Sequence, residues 1–168
     1  MLRKMLLVAL IITTLLWTAF IFSNSLDNAE ESTEKSSTVT ETVNKIAASV
    51  GIEKEITHKT VRDMAHFSEF SLLSVLLCLD ILLLLSAKIS RKIFISVGFC
   101  SIALPSCFLL ACADELIQKF SSGRASQFSD VLLDTLGAIC GFACFSVVYI
   151  VLSVIISKKL GRIRSENQ

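Results

Sequence analysis

The sequence predicts an all-α fold: a polytopic membrane protein with a four-helix transmembrane bundle and an amphipathic helix in the first outer loop. Three observations predict it. Of 168 residues, 53% are hydrophobic and 18% charged, with a mean hydropathy of +0.69, whereas a soluble domain carries roughly a quarter charged residues. The charge is also uneven. Four apolar runs, each close to the roughly 20 residues that cross about 30 Å of hydrocarbon, hold one charged residue between them, Asp80. Finally, the runs are continuous, whereas barrel strands alternate over about ten residues; helices are then what satisfies the backbone in lipid. A disordered chain is excluded by the hydrophobicity, and a collagenous one by a single Pro and 6 Gly. A net charge of +1 supplies no basic face for nucleic acid.

The first run, Met5 to Phe22, follows Arg3 and Lys4. It is long for a signal-peptide core, and Phe22-Ser23-Asn24-Ser25 is a poor small-x-small cleavage site, so it is read as a retained helix. The outer loop, 23–66, opens with a Ser-, Thr- and Glu-rich stretch, Asp27 to Ser37, read as a solvated linker. Val39, Val43, Ile46, Ala47 and Val50 then recur at helical spacing, and Gly51 is a plausible stop. This is the amphipathic helix, lying on the outer surface or against the bundle; a lid packed for stability is its simplest reading. The second span is Phe70 to Ala87 and the third Ile93 to Ala113. The fourth, about 131–157, is free of charge from Thr135 to Ser157. One membrane domain, 1–168, accounts for the whole sequence.

Lysine and arginine near the span ends set orientation. Arg3 and Lys4, then Lys88, Arg91 and Lys92, then Lys158, Lys159, Arg162 and Arg164 all fall on one side of a four-span topology. The other side offsets its basic residues with Asp27, Glu30, Glu31, Glu34, Glu41, Glu53 and Glu55. Both termini are therefore expected in the cytoplasm, with a multi-pass chain in the cell membrane. Cys78, Cys100, Cys107, Cys112, Cys140 and Cys144 lie in or beside apolar runs without CxxC spacing, which reads as small apolar residues and not zinc ligands or disulfides. With only His58 and His66, a multi-histidine metal centre is unsupported, and no cofactor or resident metal is expected.

Charge inside a membrane is costly, so it usually faces the bundle interior and marks function. Three polar groups stand out. Arg62, His66 and Glu69 share one face of the second helix, and Asp80 returns to nearly that face three turns on. Asp114, Glu115 and Gln118 end the third helix, and Gly123 permits a tight turn that would aim Arg124 back at the carboxylates. Ser129 is positioned to cap the fourth helix, with Asp130 in its first turn; Asp130, Asp134, Gly137 and Gly141 follow on one face. The last two form a GxxxG pattern, which lets another helix approach closely. Taken separately, the groups read as interfacial charges and a salt-bridged helix end. Together they place opposite charges of three helices at one depth, the outer membrane boundary, where pairing offsets burial.

At these residues the sequence resembles the VanZ-like family of bacterial membrane proteins, named for a teicoplanin-resistance protein. Asp114-Glu115…Gln118…Gly123-Arg124…Asp130…Asp134…Gly137-Ala138…Gly141 is similar to the family's D-E-x-x-Q…G-R…D…N…G-A…G block. Arg62…Ala65-His66-Phe67…Glu69-Phe70 is similar to its R-K-x-A-H-F-x-E-Y segment, and Trp17…Ile21-Phe22-Ser23-Asn24-Ser25, more weakly, to W…F-S-S-Q. The chain departs from the pattern at Asp63 (usually basic), Phe70 (Tyr), Asn24-Ser25 (Ser-Gln) and Asp134 (Asn). The resemblance implies a small multi-helix membrane protein of the bacterial plasma membrane, in a family with some members linked to lowered lipoglycopeptide susceptibility.

Three functions stay open. In the first, Arg62, His66, Glu69, Asp114, Glu115, Gln118, Arg124, Asp130 and Asp134 bind a membrane lipid headgroup, a lipid-linked cell-wall precursor or a lipoglycopeptide, the guanidinium groups gripping phosphate or carboxylate. In the second, an intramembrane enzyme acts on a lipid-linked phosphate. His66 would be base or nucleophile oriented by Glu69 or Asp114, Arg124 would stabilise phosphoryl charge, and Asp114-Glu115 with Asp130 would hold a divalent cation. In the third, the polar residues simply hold the helices together. A homo-oligomer is compatible with each. Four spans without an evident repeat are few for a transporter.

Overall fold

The computed structural model of the chain describes residues 1–27, 29–49, 51, 55–85, 93–121 and 127–166. These residues form helices α1 (Leu2–Leu26), α2 (Ala29–Ser49), α3 (His58–Leu85), α4 (Ile93–Cys100), α5 (Ala103–Phe120) and α6 (Phe128–Glu166), with no strand among them. Four stretches are long and apolar enough to cross a membrane: Leu2–Leu26, His58–Leu85, Ile95–Phe120 and Phe128–Lys159. Their surfaces fit that reading. Leu15 and Leu16 on α1, Leu109 on α5, and Val147, Val151, Leu152 and Ile155 on α6 are all at least half exposed, far more contiguous apolar surface than a soluble monomer shows.

Helix boundaries follow local chemistry. α3 starts well before its apolar run because Thr57 caps it: the Thr57 hydroxyl accepts the Thr60 N–H at 3.2 Å, satisfying one of the free donors of the first turn. That cap makes Arg62, His66 and Glu69 helical. The third span, expected as one helix, is two. Pro105 has no N–H to give to Ser101, and its ring crowds that carbonyl, so the chain turns at Ser101 and Ile102 and Pro105 sits in the first turn of α5.

Most of the expected linker Asp27–Ser37 is helical from Ala29 onward. Glu30 and Glu31 occupy the first turn, where negative charge suits the helix dipole. The hydroxyls bond to the helix's own carbonyls, Ser37 to Glu34 at 2.6 Å and Thr40 to Ser36 at 2.7 Å, instead of unwinding it. The expected stripe of α2 is buried only in part. Ala47 is buried and Val43 half-buried, but Thr40 is buried too, while Val39 and Ile46 are 49% and 60% exposed; Val50 lies outside the described residues. Gly51 does stop the chain there, at φ 82°, a conformation glycine adopts without steric cost. Asn44 then clamps the descending segment, accepting the Ile56 N–H at 2.8 Å and donating to the Ile56 carbonyl at 3.1 Å.

α3 is the hub of the bundle, packed against every other helix. Its closest neighbour is α6, through the two glycines of the GxxxG pattern. A Cβ on Gly137 would collide with the Phe67 carbonyl oxygen, and one on Gly141 with that of Ser71. The core lies along this seam and that with α5: Ile21, Phe70, Leu73, Cys107, Ala111, Val131 and Ala138 form one buried cluster, and Cys78, Cys100, Ala103 and Phe145 a second. All six cysteines are free thiols. Buried Cys78 and Cys100 each direct Sγ at the other's carbonyl, at 3.7 and 3.6 Å.

Candidate functional site

His66 and Glu69 sit one turn apart on α3. Because Gly137 and Gly141 bring α6 against the backbone of Phe67 and Ser71, Asp134, one turn before Gly137, arrives beside His66. α5 supplies Asp114 from its own buried face. The result is one imidazole facing three carboxylates. His66 Nδ1 lies 3.9 Å from Glu69 Oε2, 3.9 Å from Asp114 Oδ2 and 3.9 Å from Asp134 Oδ1. Asp114 is 1% exposed and Asp134 3%.

The carboxylates are held differently. Asp114 is fixed at both oxygens: Ser25 donates to Oδ1 at 2.5 Å and Gln118 Nε2 to Oδ2 at 2.8 Å. Asn24 Nδ2 donates to Glu69 Oε1 at 3.0 Å, and Trp17 Nε1 ties α1 to the Glu69 carbonyl at 3.0 Å. Glu69 Oε2 and Asp134 Oδ1, the two oxygens turned toward His66, are buried with no hydrogen-bond partner among the described residues. A buried acceptor without a donor is expensive, so these two oxygens are where the cluster is incompletely satisfied among the described residues.

Asn24 and Ser25 are the members of the cluster that charge-based reading of the sequence passes over. Their signal was the short polar stretch ending the first span. An amide and a hydroxyl carry no charge to draw notice, yet they are the donors that fix Glu69 and Asp114.

The other expected site residues divide. Gln118 stands directly behind Asp114. Arg62 is half-buried and lines a cleft of about 250 Å³ beside His66 and Glu69, with Asn24, Lys35 and Val39 on its other walls. Arg62 makes no ion pair or hydrogen bond among the described residues, whereas Lys35 pairs with Asp27 at 2.7 Å. Glu115 is buried but engaged elsewhere, accepting the Gln127 N–H at 2.5 Å, and so ties α5 to the start of α6. Asp130 accepts the Ser129 hydroxyl at 3.1 Å. Ser129 lies inside α6, so it is not the cap expected of it; Gln127 precedes the helix. Among the described residues, the group with ligand atoms close enough to hold a cation is therefore His66, Asp114 and Asp134, not Asp114 and Glu115 with Asp130. Gly123 and Arg124, like Lys88, Arg91 and Lys92, lie outside the described residues.

Asp80, the one charge within the apolar runs, is served by α1: Thr14 Oγ1 donates to its Oδ2 at 2.7 Å. Nearer that end of the bundle, Arg3 donates to the Leu83 carbonyl at 2.6 Å. The stripe running from Glu69 to Asp80 thus faces α1 along its length.

Chemically, the cluster can orient an imidazole through carboxylates, as a general base requires, or surround a cation. No curated protein and no solved structure matches the chain. A family model described as VanZ/LLP1 matches residues 10–151, a stretch that contains Asn24, Ser25, His66, all three of its carboxylates and both packing glycines. A bundle of apolar helices gathered around those residues, together with that match, places this chain in the VanZ/LLP1 family of membrane proteins.

Proposed function

We propose that this protein binds an amphiphile at the outer face of the bacterial cell membrane, and through that binding contributes to glycopeptide resistance. The ligand class is a membrane lipid headgroup, a lipid-linked cell-wall precursor or a lipoglycopeptide. The observation that carries the reading is Arg62: half-buried, lining a cleft, and without an anionic partner among the described residues. A guanidinium so placed suits a phosphate or carboxylate in fork geometry. A volume of about 250 Å³ is small against the roughly 300–1,000 Å³ of drug-sized sites, so it fits a headgroup while the apolar remainder stays in lipid. The distribution of lysine and arginine puts the cleft outside and both termini in the cytoplasm.

The test is a growth assay. Cells lacking the protein are challenged with teicoplanin-type drugs and complemented with wild type or Arg62→Ala. Wild type restores growth and Arg62→Ala does not; equal susceptibility of all three strains removes the resistance reading. Purified protein in lipid nanodiscs binds its anionic ligand about 10- to 100-fold less tightly after Arg62→Ala, as expected for a charge-assisted hydrogen bond of about 1.5–3 kcal/mol.

A second reading is an intramembrane enzyme acting on a lipid-linked phosphate, favoured by His66 standing between its carboxylates at the edge of the same cleft. There His66→Ala abolishes turnover of a lipid phosphate by folded protein. Absence of turnover by wild type with any such lipid removes this reading and leaves the binding one in place.

A further inference from the structure

We propose that His66, Asp114 and Asp134, with Glu69 beside them, form a binding site for one divalent first-row transition metal ion of the zinc or manganese kind. The proposal does not depend on the neighbouring cleft taking an amphiphile.

The first observation is geometric. One imidazole nitrogen and three carboxylate oxygens from α3, α5 and α6 converge, each oxygen 3.9 Å from Nδ1; the ligand atoms of His66, Asp114 and Asp134 all lie within 4.8 Å of one another. In a tetrahedral site with bonds of about 2.0–2.2 Å, ligand atoms stand ~3.4 Å apart. Closing from separations of 3.9 Å to the nitrogen, within a group spanning at most 4.8 Å, asks for side-chain shifts on the order of an ångström or less.

The second observation is independent and concerns hydrogen bonding. Asp134 has 4% side-chain exposure, yet its Oδ1 has no hydrogen-bond partner among the described residues and is turned toward His66. Glu69 Oε2 is in the same condition. A structural salt bridge places a donor within hydrogen-bonding distance of such oxygens, because unsatisfied buried acceptors are costly. At 3.9 Å the imidazole is too far to be that donor. A metal ion held between His66, Asp114 and Asp134 would give Asp134 Oδ1 its missing partner, and Glu69 Oε2 stands beside it, 3.9 Å from the same imidazole nitrogen. Meanwhile Ser25 and Gln118 already fix Asp114, and Asn24 fixes Glu69 through its other oxygen. Such outer hydrogen bonds are what orients metal ligands and keeps them in place.

The donor set selects the ion. Calcium takes six to eight oxygens, more than the cluster offers. Magnesium keeps several waters and is usually held by one or two carboxylates, so a nitrogen with three carboxylates suits it poorly. Imidazole favours zinc and iron, while carboxylate oxygens extend the range to manganese.

The experiment uses full-length protein purified in detergent, stripped with chelator, incubated with Zn²⁺, Mn²⁺ or Mg²⁺, desalted and assayed for metal by mass spectrometry. Wild type retains about one equivalent of Zn²⁺ or Mn²⁺ and little Mg²⁺. Asp134→Asn retains less than a tenth of that, while Asp80→Asn, three turns from Glu69 and bonded to Thr14, retains it all. Loading with Co²⁺ gives visible ligand-field bands in wild type that shift in His66→Gln, which removes the only nitrogen; this second variant decides the matter if Asp134→Asn does not fold. Wild type without stoichiometric Zn²⁺ or Mn²⁺, retention of Mg²⁺ equal to theirs, or full retention by Asp134→Asn would each overturn the proposal. None of these outcomes changes the Arg62→Ala result, so the two readings fail separately.

Discussion

Fixing a buried carboxylate requires donors, and Asp114 shows where they come from. Ser25 and Gln118 together occupy both its oxygens. Hydrogen bonds to charged groups contribute about 1.5–3 kcal/mol, so Ser25→Ala is predicted to lower stability by about that amount, read as thermal unfolding in detergent. Ser23→Ala, two residues earlier and exposed, is predicted to stay within about 0.5 kcal/mol of wild type. At this scale the sequence revealed the ionisable members of the site, because charge within an apolar context is conspicuous. His66, Glu69, Asp114 and Asp134 were all legible as polar residues on inward faces. Asn24 and Ser25 were marked only by the weaker family likeness of the stretch ending the first span, since nothing in a run of amide and hydroxyl side chains says which carboxylate they will meet. Glu115 and Asp130 stand outside the group around His66, because a carboxylate on the right helix can still turn to a backbone N–H or a neighbouring serine. Asp114→Asn separates a functional from a structural role. If it accumulates in membranes at wild-type level yet loses the resistance phenotype, the cluster serves ligand or metal; loss of accumulation assigns it to holding the helices together.

Close approach of α3 and α6 is what brings Asp134 to His66, and the glycines make that approach feasible. Gly137→Ala and Gly141→Ala each put a methyl group into backbone, not into a side chain that could swing aside. Overpacking of this kind costs about 1–3 kcal/mol or more, and both variants are predicted to unfold at lower temperature. Gly98→Ala is the matched contrast. It lies on α4, a Cβ there meets nothing within 4 Å, and alanine is about 1 kcal/mol better than glycine within a helix. Stability should rise or stay level. GxxxG was readable as a pattern; that it would meet Phe67 and Ser71 specifically was not, because spacing names a face without naming its partner. Helix ends were less legible still. Thr57 and Pro105 set the start of α3 and the break before α5, and both effects are local chemistry that a search for apolar runs ignores. The segment before Val39 is helical with its hydroxyls accommodated on the helix's own carbonyls, where composition alone reads a solvated linker.

Four spans form a bundle whose lateral surface is aliphatic and whose polar residues are gathered inside, as the cost of charge in hydrocarbon requires. This much of the fold was legible from hydropathy, which is strong because lipid leaves the backbone few alternatives. An even number of spans returns the chain to its starting side, and the orientation proposed from the basic residues near both ends is that this side is the cytoplasm. Reporter fusions at residues 1 and 168 should therefore both report cytoplasmic location, and one inserted in the segment between α2 and α3 the opposite side; a split result for the two termini would refute the topology. Spans separate in sequence meet through His66. A double-mutant cycle probes that meeting, with His66→Gln, Asp134→Asn and the double variant compared by unfolding stability in detergent. Contact across α3 and α6 predicts a coupling energy within about 0.5–3 kcal/mol; effects that add to within about 0.3 kcal/mol would show that the two side chains do not meet.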